Sequence, residues 1–140
     1  MEAPENIHLL IPQKPPFVMV DRLLHADEYR AISIFRVRAD NIFVVNGKLL
    51  EAGLVENIAQ TAAGMAGHIS TFQKKIPVIG YIGDVKNLEI AGLPKINDEL
   101  ETEITIEKQI FEVSILKGRI SCAKKEIASC EMKIFISQPK

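Results

Sequence analysis

Glu56 is the residue of this sequence whose surroundings most favour chemistry. Between positions 52 and 73 it is the only charged side chain, with histidine counted as neutral, in a stretch of mostly apolar and small residues. Apolar surroundings make an idle carboxylate costly, so we expect this carboxyl group to act as a general acid or base. The alternative is that Glu56 only caps the helix in which it lies.

Gln60 is the second candidate, because it lies one helical turn after Glu56 on the same face. Its amide can orient the carboxylate or bind a substrate. A hydrogen-bonded amide within the core fits the spacing equally well. The pair therefore predicts a proton-transfer group with a polar neighbour.

The three histidines are weaker candidates for catalysis. His68 lies twelve residues after Glu56, which is about 18 Å along a helix, so within one subunit the two side chains cannot form a catalytic pair. A second subunit could still bring His68 closer to a carboxylate. His8, in the N-terminal segment, and His25 are interpreted as surface or structural residues.

The two cysteines do not predict a metal site. Cys122 and Cys130 lie in a predicted hairpin, and no histidines occur at metal-ligand spacing around them. We therefore expect reduced thiols in the core, with neither a disulfide nor a bound metal. No other motif indicates a cofactor.

A buried helix is predicted to position Glu56 and Gln60. Residues 52–72 are rich in alanine and glycine, and a strand of this length would be unusual, whereas a helix apolar on all sides is buried. With 140 residues, of which 47% are hydrophobic, the chain is predicted to form one domain spanning residues 1–140.

Most of the remaining chain is predicted to be β-structure around this helix. Residues 12–16 are rich in proline and must be extended. Strands are predicted at 17–20, 31–38, 78–83, 100–106, 110–116, 119–123 and 127–136, and turns at 46–47, 117–118 and 124–125. One central helix followed by a long antiparallel meander indicates an α+β fold in which the sheet curls around the helix.

The composition excludes several classes of partner. The 17 basic and 18 acidic residues give a formal net charge of −1, so there is no overall attraction to nucleic acid or to an anionic membrane. The acidic N-terminus does not resemble a signal segment, and the one long weakly apolar stretch carries polar side chains. We therefore expect a cytoplasmic protein.

Two segments together resemble the β-hydroxyacyl-ACP dehydratases. Residues 11–22 read Ile-Pro-Gln-Lys-Pro-Pro-Phe-Val-Met-Val-Asp-Arg, which is similar to the family's signature Leu-Pro-His-Arg-x-Pro-Phe-Leu-Leu-Val-Asp-Arg. Residues 56–60 read Glu-Asn-Ile-Ala-Gln, which is similar to its helix signature Glu-Ala-x-Ala-Gln. With residues 80–83, Gly-Tyr-Ile-Gly, and the meander, the resemblance extends over nearly the whole chain.

The resemblance implies a hotdog fold that is active as a dimer. In that family a histidine from one subunit acts with a glutamate from the other, here matched by Glu56. The substrate is a 3-hydroxyacyl chain on acyl carrier protein, and its dehydration gives the trans-2-enoyl thioester. The resemblance also implies a narrow apolar tunnel between the helix and the dimer interface. Gln60, Phe43 and the backbone of Gly83 are its expected substrate-binding residues, the last two near the mouth.

The chain departs from the family where the catalytic histidine is expected. That histidine precedes the glutamate by fourteen positions, and counting back from Glu56 gives Ile42, followed by Phe43 as in the family. The family's prolines are also missing from residues 42–50. Asn46 is the nearest polar side chain, but an amide does not exchange protons near neutral pH, and a turn-forming role before Gly47 is simpler.

This loop resembles that of a divergent branch of dehydratase-like proteins, encoded with aryl-polyene or related polyketide-type pathways. Some members of that branch are thought to act as partners of a catalytic homologue. For this chain the branch implies, as one reading, a subunit that pairs with a histidine-bearing homologue and lends Glu56 to a composite site.

Three functions stay open at this point. The first is a dehydratase-like enzyme acting on 3-hydroxyacyl thioesters in fatty-acid or polyketide-type synthesis, with Glu56 as its remaining proton-transfer group. The second is a catalytically silent hotdog subunit that pairs with a histidine-bearing homologue. The third is a thioesterase in which the carboxylate activates water. The sequence favours the first two, with acyl carrier protein or coenzyme A as the acyl carrier.

Edge strands predict the assembly. The exposed edge of a small curved sheet is readily covered by the same strand of a second copy. We therefore expect a homodimer, or a heterodimer with another hotdog protein.

Overall fold

A computed structural model describes residues 6–72 and 79–137 of the chain. After a short 3-10 helix, Ile7–Leu9, the elements are β1 (Arg22–Ala26), β2 (Arg30–Arg36), β3 (Val44–Val45), β4 (Lys48–Leu49), α1 (Glu51–Phe72), β5 (Ile79–Ile90), β6 (Glu99–Ile110), β7 (Val113–Cys122) and β8 (Lys125–Ser137). Six strands form one antiparallel sheet in the order β1-β2-β6-β7-β8-β5. The predicted α+β architecture, a sheet around one long helix, is confirmed.

The helix α1 matches its predicted bounds to within one residue. Its small residues allow close approach, because a Cβ added to Gly67 would lie 2.0 Å from the carbonyl oxygen of Leu10. The sheet approaches in the same way, since a Cβ added to Gly118 would lie 2.5 Å from Cγ2 of Ile58. Among the described residues no helix is long and apolar enough to cross a membrane.

The predicted strand at residues 17–20 is wrong. This segment lies outside the sheet, and β1 begins at Arg22. The backbone N–H of Met19 donates to Gln60, and its carbonyl accepts from Asn57. Because side chains of the helix form hydrogen bonds with both backbone groups of Met19, these groups cannot pair with a neighbouring strand.

The predicted turn at Lys117-Gly118 is also wrong. Residues 110–116 and 119–123 were expected to form two strands, whereas β7 runs unbroken from Val113 to Cys122. The missing side chain of Gly118 allows the strand to contact the helix closely, and this residue does not form a turn. The chain reverses instead at residues 111–112, where Phe111 has a φ of 53°.

Of the two other predicted turns, the one at 46–47 is confirmed, and the one predicted at 124–125 occurs one residue earlier. Asn46 and Gly47, with φ angles of 52° and 78°, connect β3 to β4, as expected for an Asn-Gly hairpin. Ala123 and Lys124, with φ angles of 51° and 64°, connect β7 to β8.

Buried polar side chains fasten α1 to the sheet. Thr102 on β6 donates a hydrogen bond to Oδ1 of Asn57, which is fully buried. The Thr61 hydroxyl donates to the carbonyl of Asn57 at 2.7 Å and lies 2.7 Å from the hydroxyl of Ser33 on β2. Because these groups satisfy each other, their burial is not penalised as that of unpaired groups would be.

The two cysteines are free thiols. Burial raises the pKa of Cys130 to about 11, so this thiol is protonated at neutral pH. Desolvation also raises the pKa of Cys122. Both thiols are therefore poor nucleophiles.

Candidate active site

An apolar cavity of about 470 Å³ lies between α1 and the sheet. The proline-rich segment before β1 contributes Pro12 and Gln13, and the edge strand β5 contributes Gly80, Tyr81 and Ile82. Pockets that bind small molecules usually occupy about 300–1,000 Å³ and are mostly apolar. The cavity is therefore of a size and character suited to an apolar ligand.

Short side chains on the helix create this space. The helix wall is formed chiefly by alanines that share one face, namely Ala59, Ala62, Ala63 and Ala66. Larger side chains at these positions would fill the gap, as protein interiors normally require. The short alanine side chains thus leave a cavity between this face of the helix and the inner side of the sheet.

Glu56 contributes a carboxylate to the cavity wall. The side chain is half-buried, and its Oε2 accepts a hydrogen bond of 2.9 Å from Nε2 of Gln60. This contact fixes one carboxylate oxygen and leaves Oε1 available to a bound molecule. A carboxylate beside an apolar cavity can donate or accept a proton at a substrate held there.

Gln60 is fully buried and does not line the cavity. Its Nε2 also donates to the carbonyl of Phe17 at 2.8 Å, and its Oε1 accepts from the backbone N–H of Met19 at 2.6 Å. The sequence left three roles open for Gln60. These contacts favour the orienting role and that of a hydrogen-bonded core amide over direct substrate binding.

Asn57 is a residue beside the candidate site that sequence reasoning missed. Its Nδ2 donates to the carbonyl of Met19 at 2.7 Å, so Asn57 and Gln60 together hold the segment that leads to Pro12 and Gln13. The available signal was an amide beside Glu56 at a position where the resembling family has alanine. Gln13 was missed as well, and its Oε1 is buried without a hydrogen-bond partner among the described residues.

Phe43 and Gly83 lie outside the cavity wall within one chain. Phe43 packs against the helix start, where a Cβ added to Gly53 would lie 3.2 Å from its own Cβ. The ring of Phe135 covers Gly83, with Cε2 2.0 Å from the position of an added Cβ. Their predicted contact with substrate remains a proposal.

The loop before the helix places Ile42 near the surface. The side chain is 41% exposed and lies between β2 and β3. Asn46 is exposed and forms the β3–β4 turn described above. Neither residue lines the cavity, so within one chain neither lies in the same wall as Glu56.

No histidine lines the cavity in the part of the chain that the structure describes. His68 is only 6% exposed, its Nε2 has no hydrogen-bond partner among the residues that the structure describes, and burial lowers its pKa. His25 contacts Asp27 at 2.7 Å, and His8 is exposed. Over residues 6–72 and 79–137 there is also no cluster of three side chains that could hold a metal ion.

Comparison with known proteins identifies one family. The family described as ApeP-like, ApeP dehydratase, matches residues 5–140. No curated protein matches the chain.

Solved structures share the fold. The dehydratase heterocomplex ApeI:P from Xenorhabdus doucetiae has a TM-score of 0.88 at 16% identity, covering 96% of this chain and 91% of that chain. A hypothetical thioesterase with coenzyme A from Streptococcus pneumoniae has a TM-score of 0.66 at 9% identity, covering 84% and 86%. The protein smu.793 from Streptococcus mutans, bound to acetyl CoA, has a TM-score of 0.65 at 13% identity, covering 84% and 89%. These similarities confirm the predicted hotdog fold.

Proposed function

Because the chain belongs to the ApeP-like dehydratase family, we propose that it is a subunit of a dehydratase for 3-hydroxyacyl thioesters carried by acyl carrier protein. The observation that supports this most directly is Glu56, whose carboxylate lies in the wall of an apolar cavity of about 470 Å³ and is oriented by Gln60. The acyl chain occupies the cavity, and Glu56, in the cavity wall, acts as a proton-transfer group at the reacting carbons.

Dehydration requires two proton transfers. A base removes a proton from C2, an acid protonates the hydroxyl that leaves C3, and the products are water and the trans-2-enoyl thioester. One carboxylate can share both roles only if it reaches both atoms. Since no imidazole lines the cavity among the described residues, we propose that a second hotdog subunit supplies the histidine.

The position of β5 supports a site shared between subunits. This strand is at the edge of the described sheet and pairs with β8 on one side only. It also contributes Gly80, Tyr81 and Ile82 to the cavity wall. A subunit that pairs along β5 therefore lies beside the cavity, where its side chains can face Glu56. The related Xenorhabdus structure is itself named as a heterocomplex.

The test is an assay of the purified chain, alone and mixed with a histidine-bearing hotdog protein. Mass spectrometry of a 3-hydroxyacyl group on acyl carrier protein or coenzyme A distinguishes the outcomes. Loss of water from the carrier-linked acyl group, much faster in the mixture, supports the proposal. Release of free acid would show a thioesterase instead, and an inert mixture would contradict the dehydratase function. Full activity of the chain alone would contradict the shared site.

A further inference from the structure

Ser114 introduces a hydroxyl group into the sheet side of the cavity. It lies on β7, is only 5% exposed, and lines the cavity. Its neighbours in that wall are apolar: Leu116 on the same strand, Ile134 opposite it on β8, and Ile106 on β6. A hydroxyl is an unexpected choice at the centre of such a surface, since an apolar β-former would pack there without a polar group to satisfy.

The other buried hydroxyls of the core are all paired. Ser33 contacts Thr61, and Thr102 donates to Asn57, whereas Ser114 makes no side-chain hydrogen bond within the described ranges 6–72 and 79–137. Its Oγ is not among the fully buried side-chain atoms that lack a partner, which in the described ranges are Oε1 of Gln13 and Nε2 of His68. Since Ser114 lines the cavity, its hydroxyl can bind a molecule that occupies the cavity.

Ser114 lies further along β7 than the point where this strand contacts the part of the helix that carries Glu56. Gly118 on β7 packs against Ile58, which is two residues from Glu56 on the helix. Ser114 is four residues further along the strand, a distance of roughly 13 Å. An acyl chain whose C2 and C3 lie at Glu56 would reach Ser114 with a later part of the chain.

We propose that Ser114 is a specificity-determining residue that hydrogen-bonds an oxygen substituent on the acyl chain beyond C3. The substituent is a hydroxyl or a carbonyl, since a serine hydroxyl both donates and accepts. This inference rests on the proposed function, in which the cavity receives an acyl thioester. It adds that the preferred acyl groups are oxygenated rather than pure hydrocarbon chains.

Equilibrium binding tests the preference independently of catalysis. The probes are acyl-pantetheine analogues of equal length in which an amide replaces the thioester. One is a plain hydrocarbon chain, and the others carry one hydroxyl at successive carbons beyond C3. Calorimetry with the full chain, assembled with its partner subunit where one is required, should show one hydroxylated analogue binding roughly three- to tenfold more tightly than the plain chain.

Three variants show whether Ser114 causes the preference. Ser114→Ala should abolish it without weakening the plain chain, and Ser114→Thr, which keeps a hydroxyl, should retain it. Ser121→Ala is the matched control, because Ser121 is on the same strand but outside the cavity wall. Thermal melting of each variant verifies that it is folded.

The outcomes separate this inference from the proposed function. If the plain chain binds but no hydroxyl position improves binding, or if the preference survives Ser114→Ala, the inference is overturned and the acyl-binding cavity stands. A water molecule permanently bound to Ser114 would give this result. If no analogue binds at all, the acyl-thioester function and the inference both fail.

Discussion

Gln60 and Glu56 are joined across one turn of α1 by a hydrogen bond of 2.9 Å from Nε2 to Oε2. The Oε1 atom of the same Gln60 amide accepts a hydrogen bond of 2.6 Å from the backbone N–H of Met19. A single buried side chain thus connects the carboxylate to the segment that brings Pro12 and Gln13 to the cavity. Changes at either residue therefore have distinct consequences for activity and stability.

Replacing the carboxylate should remove activity but not the fold. We expect Glu56→Gln to lower the dehydration rate of the assembled enzyme by about 10²–10⁴-fold, the usual contribution of general acid–base catalysis. The melting temperature should barely change, because the new amide can still accept from Gln60. Glu51→Gln is the control, since Glu51 is exposed in the first turn of the same helix. Equal rates for the two variants would exclude Glu56 from the chemistry.

Removing the Gln60 amide should affect both stability and rate. Gln60→Met leaves the buried N–H of Met19 unpaired, which we expect to lower the free energy of unfolding by about 1–3 kcal/mol. Because the carboxylate loses its orienting donor, kcat should fall while KM changes little. Urea unfolding and steady-state kinetics measure the two effects. A fall in stability with an unchanged kcat would show that Gln60 is purely structural.

Local patterns in the sequence explain which features could be predicted. The small apolar residues of α1 indicate a buried helix by themselves, and Asn46-Gly47 indicates a turn. The contacts of Met19 with Gln60 join residues 41 positions apart, so no local pattern reveals them. The turn predicted at Gly118 is wrong for the same reason. A side chain at this position would collide with Ile58, which lies on a helix distant in the sequence.

The candidate site was predictable only on its helix side. The motif at residues 56–60 identifies Glu56 and Gln60, which the structure brings together. Ser114 and Gln13 enter the cavity from separate elements, and their place in the wall depends on how the sheet curls. The spacing of residues in the sequence does not indicate how the sheet curves.

The free edge of β5 predicts a dimer that a charge should disrupt. Leu88 is 41% exposed on this strand, and Leu88→Asp would bury a carboxylate against a pairing subunit. We expect the wild type to sediment as a dimer at micromolar concentration and the variant to sediment as a monomer. Tyr29→Asp is the control, because Tyr29 is 67% exposed in the β1–β2 turn, away from β5. Dimers formed equally by both variants would rule out β5 as the interface.

His68 should make stability depend on pH. Desolvation lowers its pKa in the folded protein, so the unfolded chain binds more protons below an ordinary histidine pKa of about 6.5. The free energy of unfolding should therefore fall as the pH drops below that value, and should be insensitive to this residue above it. Hydrogen bonds from His25 and a backbone N–H lower the pKa of Asp27, and hydrogen bonds from two arginines lower that of Glu103. Both carboxylates therefore add a loss of stability at more acidic pH.

Urea unfolding between about pH 8 and 5.5, across the ordinary histidine pKa, isolates the contribution of His68. His68→Leu should flatten the pH dependence near pH 6, whereas His8→Leu, at an exposed position, should leave it unchanged. If the wild type and His68→Leu lose stability in parallel as the pH falls, folding does not lower the pKa of His68.

The last prediction concerns the histidine that the family has and this chain lacks. Ile42 lies at that position by sequence spacing and is 41% exposed in the loop before β3, so a longer side chain there has room to reach a neighbouring subunit. Ile42→His would add a group with a pKa near 6.5, suited to acid–base chemistry at neutral pH. We expect the homomeric variant to dehydrate 3-hydroxyacyl thioesters faster than wild type, and Glu56→Gln to abolish the gain. Val45→His, at an exposed position three residues later, should give no gain. A wild-type homomer whose dehydration rate is untouched by Glu56→Gln would show that both Ile42 and Glu56 have been assigned to the wrong positions.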